Sequence, residues 1–255
     1  MAVRLRAVNI STETRLSTGT VATRRLGALA IVMLTVLAVL ALIISPEDVN
    51  QGSTVRIMYV HVPTIWVAYM AFILTAVCSA TYLSGRNRSL GWDRVAGASA
   101  EIGVLFVALS LLTGSLWGRI TWGTYWVWDA RLTSTAFLFI TYIGYLAVRR
   151  LDGTQRQRAR RSSVLALLAV LEIPLVHFSV RLWRSLHQEA SVATGGTDVE
   201  LDDLMLFSLF FGLAAFSVLF VWLLLHRQRM LYLEDAMSSQ GLDAAIEARR
   251  KEAVR

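Results

Sequence analysis

Residues 204–225 read LMLFSLFFGLAAFSVLFVWLLL, 22 positions without a charged side chain. A bilayer-spanning helix needs roughly 20 mostly apolar residues, because the lipid core offers an exposed peptide group no partner. Working back along the chain, five more runs approach that length: 26–44, 60–83, 95–116, 132–148 and 164–180, the last two near the lower limit. The chain of 255 residues is 55% hydrophobic, which places it in the membrane class. The runs predict an all-α, polytopic membrane protein of six transmembrane helices. Residues 1–233 read as one membrane domain and 234–255 as a polar tail, helical or disordered. The first run follows Arg24 and Arg25 as a signal peptide would. Its apolar core is too long for one, and ISPEDVN, residues 44–50, has no small-x-small cleavage site.

Charge sets the expected orientation. Twenty of the 25 basic residues fall in the N-terminal tail, the loops after the second and fourth spans, and the C-terminal tail. Arg56, Arg119, Arg131, Arg181 and Arg184 are the five in the other three loops. Lys and Arg collect on the cytoplasmic side, so both termini are expected inside and three loops outside. The net charge of +7 is met by the anionic inner leaflet of the lipid bilayer. No basic patch is interleaved with aromatics, so nucleic acid is not an expected partner. The single cysteine, Cys78, excludes an internal disulfide and a Cys-x-x-Cys-His heme attachment site. No G-x-x-x-x-G-K-[ST] loop is present, so ATP-driven work falls to a partner.

The outer loops carry the unusual chemistry. LWGRITWGTYWVWDARLTS, residues 116–134, holds Trp117, Trp122, Trp126 and Trp128 with Tyr125, half of the chain's eight tryptophans. An interfacial aromatic belt explains one or two tryptophans per helix end. Four in a stretch interrupted by Gly118 and Gly123 fit better as a flat aromatic surface that stacks on a large planar ligand.

Four histidines are present. His226 stands among arginines at the inner end of span six and reads as a polar helix end. His177 lies inside span five near its outer end, and an interior packing hydrogen bond accounts for it, since Pro174 frees a carbonyl nearby. His61 precedes Pro63, which suits the first turn of span two. His187 lies in the third outer loop. His61 and His187 therefore sit at similar depth in separate outer loops and can converge. Two neutral imidazoles suit an iron with two axial positions, and heme is the planar ligand that combines that need with an aromatic floor. Zinc wants four ligands, which the outer face lacks. Arg56, Arg119, Arg131 and Arg184 can pair with heme propionates, the alternative being ordinary solvated loop charge.

On these residues the chain resembles the CcmC family of heme-handling proteins of cytochrome c maturation. WGTYWVWDARLTS, residues 122–134, is similar to that family's tryptophan-rich WWD signature. MYVHVP, residues 58–63, and HFSVRLWRSLHQ, residues 177–188, extend the likeness over most of the chain. The larger CcmF and CcsA-type relatives carry related motifs on more spans than this length holds. The resemblance implies a multi-pass protein of the bacterial cytoplasmic membrane that binds heme b non-covalently at its outer face. By motif position His61 and His187 match the axial ligands. Trp122, Tyr125, Trp126 and Trp128 match the floor, and Asp129 and Arg131 fix the loop to the helices or contact a partner. It further implies transfer of heme to the chaperone CcmE, alongside an ABC-type complex of CcmA, CcmB and CcmD. Two departures stand out. Tyr125-Trp126 replaces the usual Trp-Trp, which keeps the ring. Arg181, Leu182 and Trp183 replace an acidic-Trp-Trp run, which alters the third outer loop.

The reading is of a binding and transfer subunit rather than an enzyme. One rival is a heme lyase, which extra histidine-bearing spans would mark. The other is a permease subunit passing heme or another solute through its helices, for which Glu101 in span three and Glu172 in span five are the only polar hints. The plainer expectation for both acids is a protonated carboxyl paired with another helix. GSLWG, residues 114–118, is a small-xxx-small pattern that permits close helix packing.

Overall fold

In lipid every peptide group must be paired within its own element, so long apolar runs have one outcome, the helix. A computed structural model describes residues 19–85, 88–187 and 201–253. Of the basic residues that set the expected orientation, Arg4, Arg6, Arg15, Arg86 and Arg255 lie outside the described residues. The helices are α1 (Val21–Val39), α2 (Met58–Ser84), α3 (Leu90–Trp122), α4 (Ala130–Arg150), α5 (Gln155–Ala169), α6 (Glu172–Leu182) and α7 (Asp203–Ala253). Helix α1 runs on through a π-helical turn, Leu40–Ile44, and a 3-10 turn, Ser53–Ile57, leads into α2. Six stretches are long and apolar enough to cross a membrane, α5 and α6 together making the fifth. The chain is an all-α, multi-pass membrane protein.

Local chemistry explains several helix ends. Thr20 and Thr23 form a capping box at α1, and Thr154 and Gln157 another at α5. Helix α3 stops at Gly123, whose φ of 78° is a left-handed conformation that glycine adopts without steric cost. Span five is not one helix: α5 ends at Ala169 and α6 restarts at Glu172. Pro174 has no N–H to give the Val170 carbonyl, and the Ile173 N–H bonds it instead at 3.1 Å.

Helices α2 and α3 form the most extensive pair. Small residues let their backbones approach: Ala68, Ala71, Ala96 and Ala100 are all buried, and the Ser99 hydroxyl donates to the Ala71 carbonyl at 2.7 Å. Gly103 makes room for Phe72, whose ring stacks on Tyr142 of α4 at a centroid distance of 3.5 Å. This contact joins the three central helices. Helix α1 is peripheral and leans on α7, where Gly27 faces the Trp222 indole.

The bundle has two chemically distinct ends. At the arginine end, Arg149 of α4 grips Asp93 of α3 through two nitrogens, at 2.6 and 2.9 Å, and also reaches Tyr145 and Ser162. Glu101 corrects an expectation. It pairs with another helix as expected, but its partner is the Arg227 guanidinium of α7 and its side chain is 31% exposed rather than buried. Asp235, further along α7, accepts from Arg94 and Gln155. These contacts carry α7 on as a helix past the membrane span into the polar tail. At 51 residues it is roughly 76 Å long, against about 30 Å of hydrocarbon. Glu172 does pair with another helix, accepting from the Thr141 hydroxyl of α4 at 2.8 Å.

Candidate functional site

The site is assembled at the opposite, tryptophan end from helix termini rather than from long loops. His61 belongs to the first turn of α2, which begins at Met58, so Pro63 stands one turn inside the helix and not at its start. The His61 Nδ1 lies 3.1 Å from the Thr113 hydroxyl of α3. That hydroxyl gives its one proton to the backbone of its own helix, to the Leu109 carbonyl at 2.8 Å and, more weakly, the Ser110 carbonyl at 3.2 Å. It therefore accepts from His61, Nδ1 carries the hydrogen, and Nε2 keeps its lone pair. The ring lies over Gly114, where a Cβ would stand 2.9 Å from Cε1. Its other neighbour is Trp117, edge-on at 5.8 Å, whose indole N–H donates to Gln51 at 2.8 Å.

His187 is held from the other side by one carboxylate. Asp129 caps α4 through the Arg131 and Leu132 amides. The same side chain accepts from the Ser185 hydroxyl at 2.6 Å and the Leu186 amide at 2.8 Å, and meets His187 Nδ1 at 2.9 Å. With its side chain 2% exposed, Asp129 joins the tryptophan segment to the Trp183–His187 connection that follows α6. Burial alone raises its pKa, but the hydrogen bonds from Ser185, Leu186 and Arg131, and then His187, hold it below the ordinary carboxylate value. Burial pushes His187 below its ordinary value, against the pull of Asp129. The imidazole is thus neutral at neutral pH, and the contact is a charge-assisted N–H donation to a carboxylate rather than an ion pair. Here too Nε2 has no hydrogen-bond partner among the described residues. His61 and His187 lie within electrostatic reach of each other, with Arg131 in reach of both.

The aromatic residues differ from the expected flat floor. Trp117 and Trp122 are on the last turns of α3, and the non-helical part of residues 117–134 is only 123–129. Trp122 meets the His187 ring edge-on at 4.8 Å. Trp126 and Trp128 stand at 86° to each other, and Tyr125 lies beside the Arg119 guanidinium at 5.5 Å. The rings prefer edge-to-face contact to a shared plane, so they frame a space instead of paving it. Trp128 is 85% exposed and Tyr125 58%.

The arginines divide. Arg131 donates to the His177 carbonyl at 3.0 Å and ties α4 to α6. Arg119 is spent on the Gly123 carbonyl. Arg184 is exposed. Arg56, in the 3-10 turn before α2, has a buried Nε with no hydrogen-bond partner among the described residues. The His177 side chain is exposed on α6, not an interior packing group, and His226 meets Trp222 edge-on at the far end.

Sequence reasoning missed the supports. Thr113 and Ser185 carried no signal of their own. Gly114 and Gly118 were visible as a small-residue pair, but Gly114 seats His61 and Gly118 seats the Trp122 ring, 3.1 Å from a built Cβ. Their role is to admit side chains of the site.

Comparison with known proteins bears on this arrangement. The family described as CcmC, heme exporter protein C, matches residues 8–242. A protein named heme exporter protein C from Bradyrhizobium diazoefficiens is 41% identical over 202 residues, covering 79% of this chain and 76% of that protein. Its namesake from Haemophilus influenzae is 38% identical over 212 residues, 82% and 84% of the two chains. A putative cytochrome c biosynthesis ccmC-like mitochondrial protein of Arabidopsis thaliana is 36% identical over 217 residues, 85% and 80%. By the extent of these matches, the chain belongs to the CcmC family.

Proposed function

We propose that this chain binds heme b non-covalently at the tryptophan end of the bundle and hands it to a CcmE-type chaperone in cytochrome c maturation. The observation that carries this reading is the pairing of the two imidazoles. Thr113 and Asp129 each engage an Nδ1, which leaves both Nε2 lone pairs to a ligand, and the two rings lie within electrostatic reach of each other. Iron in heme offers two axial positions for such ligands. The other residues fit the same cargo. The indoles of Trp122, Trp126 and Trp128 and the Tyr125 ring give apolar edges and faces for the macrocycle. The unpartnered Arg56 Nε and the remaining donors of Arg131 suit its propionates. The names of the relatives, heme exporter and cytochrome c biosynthesis protein, agree with this cargo.

In this reading the protein is a carrier and not an enzyme. It sits in the bacterial cytoplasmic membrane with both termini inside and the tryptophan end outside, and works beside CcmA-, CcmB- and CcmD-type subunits. The basic asymmetry of the loops supports the orientation. The rival permease reading loses one of its two polar hints, because Glu101 is engaged by Arg227 near the arginine end.

The test is the absorption and electron paramagnetic resonance spectra of the purified chain loaded with heme. A six-coordinate low-spin spectrum is expected for the wild type. His61→Ala and His187→Ala should each lose it, while His177→Ala keeps it. A spectrum that changes with His177 and not with His187 sinks the ligand assignment.

A further inference from the structure

The two imidazoles are supported by unequal partners. His187 donates Nδ1–H at 2.9 Å to the Asp129 carboxylate, whose oxygens also accept from the Ser185 hydroxyl and the Leu186 and Arg131 amides. His61 has only neutral groups behind it: the Thr113 hydroxyl at 3.1 Å, already committed to the Leu109 carbonyl, and the Ser110 backbone carbonyl. An anionic acceptor behind a metal-bound imidazole gives that ring imidazolate character and raises its basicity, which a hydroxyl does weakly. Two axial ligands on one iron also compete, so a strong donor on one face loosens the bond on the other.

We propose that the axial positions are consequently not equivalent: His187 is the anchoring ligand and the iron–His61 bond is the one that opens to an incoming ligand. This rests on the heme reading above. In the exchange the iron–Nε2 bond of His61 breaks and its electron pair returns to the ring. The incoming donor supplies its own pair, Nδ1 keeps its hydrogen toward Thr113, and the iron does not change oxidation state. Gly114 and Trp117 hold the freed ring in place, so the step is reversible. Thr113 and Asp129 act as positioning residues, one behind each ligand. Mobility alone predicts the reverse order, since His187 lies in a connection and His61 in a helix. The experiment therefore sets bond strength against mobility.

The probe is carbon monoxide added to the heme-loaded, reduced full chain. It takes the position of the weaker axial ligand, and its C–O stretching frequency reports the ligand left opposite. The expected result is that Asp129→Asn shifts this frequency and Thr113→Val does not. The rate of carbon monoxide binding, limited by opening of the displaced ligand, should rise roughly tenfold in Thr113→Val, within the range of losses seen when an outer-shell partner is removed. This second measurement stands even where Asp129→Asn loosens the loop. A frequency that moves with Thr113 and not Asp129, or an unchanged rate in Thr113→Val, overturns the proposal while leaving the heme site intact. Absence of any low-spin bis-histidine spectrum in the wild type overturns the heme reading itself.

Discussion

Gly114 is the surface on which the His61 imidazole rests: a Cβ at residue 114 would stand 2.9 Å from the ring Cε1 and 3.4 Å from Nδ1. Alanine at an ordinary helical position is better than glycine by roughly 0.5–1 kcal/mol. Gly114→Ala should therefore leave the fold as stable as before, or more so, yet push His61 away from its Thr113 contact. The expected outcome is unchanged thermal unfolding with weakened heme binding and loss of the low-spin spectrum. A Gly114→Ala protein with a wild-type spectrum would show that the ring has another way to settle.

The framing tryptophans should act together but not equally. Edge and face contacts of an aromatic ring contribute about 0.5–1.5 kcal/mol beyond area burial. Replacing Trp122, Trp126 and Trp128 together by alanine should lower bound heme while the protein still inserts. Among single changes Trp122→Ala should cost most, since its ring lies against His187. Heme titration of the four variants checks the ranking, and undiminished binding in the triple variant returns these residues to an interfacial belt.

The Asp93–Arg149 pair should govern stability and not ligand binding. Both side chains are largely shielded, at 12% and 19% exposure, and Arg149 is further confined by Gly97. Removing one partner of such a pair leaves an uncompensated charge and costs about 3–5 kcal/mol. Asp93→Asn should lower the melting temperature in detergent while the heme spectrum stays intact. Glu101→Gln should be milder, because that pair is 28–31% exposed to begin with. Equal losses would contradict the burial argument.

Glu172→Gln should be mild as well. Glutamine keeps the shape and the carbonyl oxygen that accepts from Thr141, and changes only the second position, where Oε2 is buried with no hydrogen-bond partner among the described residues. A change of less than about 1 kcal/mol in stability is expected, with normal heme delivery. Lost delivery at normal protein levels would instead assign Glu172 a part in transport.

Orientation is checked by reporter fusions. Gln155, in the first turn of α5 at the arginine end, should read cytoplasmic, and Gln51, hydrogen-bonded to Trp117 at the tryptophan end, should read external. The two should never report the same side.

Residues 204–225 and the five other runs were enough to establish an all-α membrane protein of six spans. Apolar length is a local property, and lipid leaves the backbone one way to satisfy itself. His61, His187 and the 122–134 segment were legible as candidates for the same kind of reason, since residue type and position along a span are both read directly. The tertiary structure alone decided which faces meet. A span that is apolar all round has no preferred face in its periodicity, so nothing in the sequence placed Thr113 behind His61 or Arg227 against Glu101. The break at Val170–Leu171 turned on where the Ile173 N–H finds an acceptor, and the perpendicular rings of Trp126 and Trp128 on how two quadrupoles settle in a seven-residue turn. Asp129 shows the division most clearly. Its place in the motif was readable, but three of its five hydrogen-bond contacts join segments more than fifty residues apart, and only the folded chain brings Ser185, Leu186 and His187 within its reach.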